Sequence, residues 1–229
     1  MNSAIIVAAG SGSRMASDRP KQFLILAGIP IIFHTLRPFE QCDSIDETIV
    51  VLPPESAAEF LDSAAKFGLQ KVTRVVPGGA TRAESVQRGL NAIRAASAGI
   101  VAVHDGVRPF VSADEISETI SAAEQHGASV LVAPVTDTIK QVDDHSIKRT
   151  LDRRELRRAL TPQCFRYDLL ARAFAQSDVS DPSLTDESVL VERLGLRVAF
   201  VEGNARNIKI TTPKDLVIAE SFLKSGLWP

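Results

Sequence analysis

Short, continuous runs of β-branched residues alternate along this chain with longer stretches of helical period. Residues 4–7, 48–52, 72–76, 100–103 and 130–133 are almost wholly apolar and do not alternate with polar positions. Strands covered on both faces read this way. Helix-like segments lie between and after them, at 30–41, 55–67, 81–96 and 113–126. Thr81 with Glu84 and Ser112 with Glu115 have the spacing of capping boxes, and Thr212-Pro213 puts proline at a first helical position. Strand, helix and strand at this spacing imply right-handed crossovers and a mostly parallel sheet. The rhythm breaks after Pro134. Residues 135–160 show no amphipathic helix period until their end, and they are rich in charge. Beyond them the pattern predicts helices at 166–176, 186–194 and 213–224, and a strand at 197–201. The expected fold is α/β and Rossmann-like, with helices on both faces of the sheet and an extended β-arm at about 135–160. It forms one domain over 1–229.

Composition narrows the function classes. Of 229 residues, 45% are hydrophobic and 24% charged, ordinary for a globular domain and unlike a disordered chain. A formal net charge of −2 gives no bulk basicity for nucleic acid or an anionic membrane, so neither is expected as a partner. No apolar stretch approaches the roughly 20 residues of a membrane span. The N-terminus lacks the basic region of a secretory signal. Cys42 and Cys164 are distant in sequence and form no C-x-x-C. That excludes a cysteine zinc site and suits a reducing, cytoplasmic setting. Four histidines without a Ser-His-Asp arrangement argue against a hydrolase triad.

The first apolar run leads straight into A-A-G-S-G-S-R-M and then P-K-Q-F. In open α/β sheets, ligands bind beyond the carboxyl ends of the strands. A glycine-rich loop there brings backbone N–H groups close to phosphate oxygens. Ala8, Ala9, Gly10 and Gly12 would form the cradle, and Arg14 and Lys21 would bracket it with positive charge. The loop is neither G-x-x-x-x-G-K-[ST] nor G-x-G-x-x-G. Asp105 follows the fourth run in V-H-D-G-V-R-P, where a carboxylate could hold magnesium or a ribose. The most charged feature is 148–158, with six basic and two acidic residues and no interleaved aromatics. Without aromatics it reads as a solvated face more readily than as an RNA patch.

The glycine loop with P-K-Q-F resembles the opening of the sugar-phosphate nucleotidyltransferases. More narrowly, the chain is similar to the 2-C-methyl-D-erythritol 4-phosphate cytidylyltransferase family of the non-mevalonate isoprenoid pathway. The likeness continues, in order, through P-G-G-A-T-R-A-E-S-V (77–86), V-H-D-G-V-R-P-F (103–110), A-P-V-T-D-T-I-K (133–140), L-T-P-Q-C-F (160–165), T-D-E (185–187) and N-I-K-I-T-T-P-K-D-L (207–216).

The resemblance implies transfer of a cytidylyl group from CTP to 2-C-methyl-D-erythritol 4-phosphate, with Mg2+ as cofactor. It makes Arg14 and Lys21 the stabilisers of the transition state and of the departing diphosphate. It assigns CTP binding to the glycine loop, Gly79, Arg82, Ser85 and Asp105, with backbone groups near Gly79 and the Ser85 hydroxyl reading cytosine. Lys209 and Arg153 would hold the sugar phosphate, Arg153 reaching across a homodimer formed through the arm. Arg154, its neighbour, leaves that position uncertain by one residue. Arg108, Thr138, Thr161, Thr185 and Asp186 would complete the sugar-phosphate site. Some relatives are fused to a second enzyme, and a chain of 229 residues predicts the transferase domain alone. Ribitol-5-phosphate cytidylyltransferase shares several of these blocks, but A-A-G, R-A-L-T-P-Q and T-D-E-S favour the methylerythritol enzyme. A non-catalytic CTP-binding sensor on the same fold is the other alternative.

Overall fold

The computed structural model describes residues 1–10, 15, 19–57, 59–181 and 183–226. The chain begins with β1 (Ser3–Val7) and continues through a tight hairpin of β2 (Ile25–Leu26) and β3 (Ile29–Pro30) into α1 (Ile31–Gln41). Next come β4 (Glu47–Leu52), α2 (Phe60–Lys66), β5 (Val72–Pro77), α3 (Arg82–Asn91) and β6 (Ile100–Asp105). Then follow α4 (Ala113–His126), β7 (Ala128–Pro134), and the hairpin of β8 (Lys140–Asp143) and β9 (Ser146–Thr150). The chain closes with β10 (Arg157–Arg166), α5 (Tyr167–Ala175), α6 (Glu187–Arg193), β11 (Ala199–Glu202) and α7 (Pro213–Lys224).

Among the described residues the main sheet has seven strands in the order β11-β7-β10-β6-β1-β4-β5. β1 pairs in parallel with both β4 and β6, and β11 with β7, whereas β10 runs antiparallel between β6 and β7. The central runs are buried on both faces, which is why they contain no alternating polar positions. Ile6, Val50 and Ala102 pack toward α1, α2 and α4, and Ile5, Val51 and Val103 toward α3, α5 and α6. Each buried Ile, Leu or Phe contributes about 1.5–3 kcal/mol of transfer free energy. A third cluster of Leu26, Ile31, Phe110, Ile210 and Ala219 seats α7 against the β2–β3 hairpin.

The Ser112 and Thr212 capping boxes form as expected. At Thr81 only half a box forms. Its hydroxyl accepts from the Glu84 N–H, but the Glu84 carboxylate accepts from the Ala80 N–H at 2.7 Å. No helix among the described residues is long and apolar enough to cross a membrane.

The stretch 135–160 needs correction at its end. The projecting arm is the β8–β9 hairpin, exposed at every position, whereas Arg157–Leu160 already belong to β10 in the main sheet. Proline within a run normally demotes a strand, and Pro162 sits inside β10. The pairing with β7 accommodates it through a register break between Ala159 and Gln163. The basic run is also divided. Lys148 and Arg149 lie on β9, Arg154 pairs with Asp152 at 2.6 Å, and Arg157 pairs with Glu202 at 2.7 Å. It therefore forms no continuous basic face.

Candidate active site

Sheet order places the site. From β1 the chain moves outward to β4 and β5, then crosses back to β6 on the other flank of β1. Such a reversal opens a crevice at the carboxyl ends of the strands. Here the loops after β1, β5 and β6 are tied together by extra backbone bonds. Ala8 N–H donates to Val51 O, Gly78 N–H to Leu52 O and Gly106 N–H to Val7 O, each at 2.8 Å. Two glycines make this approach possible. A Cβ on Gly78 would lie 2.1 Å from the Ala9 Cβ, and one on Gly106 would lie 2.6 Å from the Ala8 Cβ. Any side chain at either position would wedge the loops apart.

The crevice holds a cavity of about 480 Å³. Ala8, Ala9 and Gly10 line one side, Gly79, Arg82 and Ser85 another, and Lys21, Asp105 and Lys209 close it. A volume of this order accommodates a small-molecule ligand. A smaller cavity of about 130 Å³ adjoins it, lined by Arg108, Thr161, Gln163, Thr185 and Asp186. Arg82, Asp105 and Lys209 line both cavities and so form the wall between them.

That wall is an ion cluster centred on Asp105, which is only 5% exposed. Its Oδ1 accepts from Arg82 Nε at 3.2 Å, and its Oδ2 faces Arg108 Nε and Lys209 Nζ, each at 3.0 Å. Burial pushes the carboxyl up. The combined pull of Arg82, Lys209 and Arg108 outweighs it and holds the group well below the usual carboxylate range. Arg82 also donates to Glu187 Oε1 at 2.6 Å. Burial drives Glu187 above the ordinary glutamate value despite that contact. Three cations thus face two carboxylates in one connected cluster.

The other sequence-derived site residues divide clearly. Arg14 and Gly12 lie outside the described residues. The Ser85 hydroxyl lines the large cavity but is engaged by its own loop. It donates to Thr81 O at 2.9 Å and accepts from Gly79 N–H at 3.0 Å. It therefore ties Gly79 to the first turn of α3. Asp186 caps α6 by accepting from Val189 N–H, and also accepts from Gln163 Nε2 at 2.9 Å. Thr138 and Arg153 are exposed at the base of the arm, where Arg153 donates to Thr136 O; neither lines either of these two cavities. Arg154 beside it pairs with Asp152 at 2.6 Å, so both arginines are engaged within their own chain.

Glu187, Gln163 and Asn207 belong to the site and were not singled out from sequence. Asn207 is fully buried, donates to Thr161 O at 2.8 Å and offers its carbonyl to Arg108. Its place two residues before Lys209 was the available signal.

His104 lies beneath the site, packed in the core and bonded to two residues that line the small cavity. It is fully buried, with Nδ1 2.9 Å from Thr161 Oγ1, Nε2 3.1 Å from Arg108 O and its ring against Phe39. Burial is the largest influence and lowers its pKa to about 4. The folded state therefore resists protonation while the unfolded chain accepts a proton near pH 6.5. Its stabilising contribution is complete above about pH 6.5 and declines as pH falls toward 4. Between pH 7.5 and 5 the loss is expected to be about 2 kcal/mol. Denaturant titration at the two pH values, without nucleotide or metal, measures it. His104→Gln should flatten that limb, and an equally steep limb in the variant would contradict the assignment.

A cation-walled double pocket at the switch point of a largely parallel sheet is the setting of an α/β protein that binds anionic ligands. The family model described as IspD, 2-C-methyl-D-erythritol 4-phosphate cytidylyltransferase, matches residues 2–225. The chain belongs to this family. It is 42% identical over 224 residues to the 2-C-methyl-D-erythritol 4-phosphate cytidylyltransferase of Pelotomaculum thermopropionicum, covering 97% of this chain and 94% of the relative. It is 43% identical over 226 residues to that of Clostridium novyi, covering 98% and 97%. The crystal structure of 4-diphosphocytidyl-2C-methyl-D-erythritol synthase from Anaerococcus prevotii superposes with a TM-score of 0.85 at 32% identity, covering 97% of this chain and 98% of that one.

Proposed function

We propose that this cytidylyltransferase joins CTP to 2-C-methyl-D-erythritol 4-phosphate across the wall formed by Arg82, Asp105 and Lys209. The large cavity takes the nucleotide and the small one takes the sugar phosphate. One observation carries the reading: the same three side chains line both cavities. A phosphate oxygen of the sugar attacks the α-phosphorus of CTP. The new P–O bond forms as the bond to the β-phosphate oxygen breaks, and diphosphate departs. The nucleophile is already ionised at neutral pH, so no general base is required. The barrier lies in bringing two polyanions together and stabilising the charge that gathers around phosphorus.

Lys209 and Arg82 act at that junction, and Lys21 lines the nucleotide cavity with them. Asp105 keeps the cations of the wall aimed at one point. Arg108, Thr161, Thr185 and Asp186 supply polar contacts to the acceptor. Backbone groups around Gly79 distinguish cytosine from uracil. CTP should therefore bind at least about tenfold more tightly than UTP, the worth of one hydrogen bond to a misplaced partner. Calorimetric titration with both nucleotides tests this, and equal affinities would contradict it.

Magnesium would enter chiefly on the triphosphate, whose oxygens with water can fill most of its shell. Both Asp105 oxygens already face the cations of the wall, so this carboxylate would at most approach the metal through water. Bound there, magnesium would neutralise triphosphate charge. The two buried free cysteines suit a reducing, cytoplasmic setting.

The chain acts as a homodimer through the arm. Val142 and Ile147 pair across the β8–β9 hairpin and are 63% and 64% exposed. A two-stranded ribbon is marginal alone, and a second arm would cover these side chains and bring Arg153 toward the partner's small cavity. Val142→Asp with Ile147→Asp should shift the sedimentation coefficient from dimer to monomer and raise the KM for the sugar phosphate. A double variant that remains dimeric with unchanged KM would contradict this.

A further inference from the structure

Glu187 has a carboxylate that local structure does not require. It opens α6, but Asp186 already caps that helix. It is only 1% exposed, with Oε1 on Arg82 and Oε2 without a hydrogen-bond partner among the described residues. Keeping a half-satisfied carboxylate buried is costly, so its single strong contact is what it is there to make. That contact bridges two parts of the site. Arg82 opens α3 beside the nucleotide cavity and also touches Asp105 at the end of β6.

The backbone of Glu187 is itself pinned to the sheet. Gln163 of β10 accepts from the N–H groups of Glu187 and Ser188, each at 3.1 Å. Nearby, the Thr81 hydroxyl donates to Val179 O at 2.9 Å, fastening the segment before α6 to the nucleotide loop. Arg82 is thus held between a carboxylate fixed at β6 and another fixed at α6. It stands in the wall shared by both cavities.

We propose that Glu187 is a positioning residue for nucleotidyl transfer: through Arg82 it fixes the placement of the nucleotide cavity relative to the sugar-phosphate cavity. The proposal rests on the two-cavity reading above. Each cavity keeps its other contacts when Glu187 loses its charge, so each substrate should still bind. What suffers is the approach of the acceptor oxygen to the α-phosphorus, where small misplacements are expensive.

Steady-state kinetics on the wild type, Glu187→Gln, Arg82→Met and the double variant test it, with melting temperatures recorded for each. Glu187→Gln is expected to lower kcat about tenfold or more while both KM values stay within about threefold. Because Glu187 acts through Arg82, the double variant should be no slower than Arg82→Met alone. Losses that multiply in the double variant would overturn the proposal, as would a lowered melting temperature with kcat intact. If Glu187→Gln does not fold, Glu187→Asp enters the same cycle with the same criteria. A wild-type chain without turnover would instead overturn the two-cavity reading, and this proposal with it.

Discussion

Replacing Asp105 with Asn should lower kcat/KM by about 10²–10³-fold and destabilise the fold by about 3 kcal/mol. The carboxylate is nearly buried and meets Arg82, Arg108 and Lys209 at 3.2, 3.0 and 3.0 Å. The amide keeps the shape but removes the charge. It also turns one oxygen into a donor facing donors, so at least one cation loses its partner. Removing one member of a buried ion cluster leaves the rest uncompensated, which costs far more than losing a surface pair. The effects on binding and turnover should separate. With one anion removed from beside the phosphates, CTP should bind at least as tightly as before, while the released cations no longer converge on the reaction centre. Calorimetry for CTP and initial rates for turnover measure the two independently. Unchanged kcat with an intact melting temperature would show that Asp105 is not the organiser of the wall.

Lys209→Met is expected to reduce kcat/KM by a similar factor, about 10²–10³, with little change in melting temperature. Lys209 differs from Asp105 in exposure. Its side chain is 34% exposed, so its pair with Asp105 is screened and contributes little to folding. Methionine preserves most of the stem and removes only the ammonium group. That group lies at the wall both cavities share, so its loss should raise the KM for the sugar phosphate as well as lower kcat. Lys209→Arg should restore charge but only part of the rate, because a planar guanidinium cannot replace a compact ammonium at 3.0 Å from one oxygen. Full activity in Lys209→Met would remove this residue from the reaction.

Much of the framework is readable in the chain because its signals are local. The runs at 48–52 and 100–103 are apolar at nearly every position, and only a strand buried on both faces sustains that. The Ser112 and Thr212 caps are spelled out within four residues. Three features are tertiary, and local pattern hides them. β10 carries a proline and begins with exposed arginines, so nothing nearby marks it as an inner strand; its place depends on pairing with β6 and β7. The cluster on Asp105 draws from α3, the loop after β6 and the segment before α7, spread from residue 82 to residue 209. Glu187 reads as an ordinary helix-start glutamate until its burial is seen. Ser85 shows the reverse: its place beside the glycine pair that opens α3 was legible, but the engagement of its hydroxyl by Gly79 and Thr81 was not.

The proposed reaction brings two phosphate-bearing substrates together across one cationic wall. Diphosphate release from CTP and magnesium tests it most directly, with 2-C-methyl-D-erythritol 4-phosphate and ribitol 5-phosphate supplied in parallel. Sustained release with the methylerythritol phosphate alone is the predicted result. Release only with ribitol 5-phosphate, or CTP binding without release from either, would contradict the account.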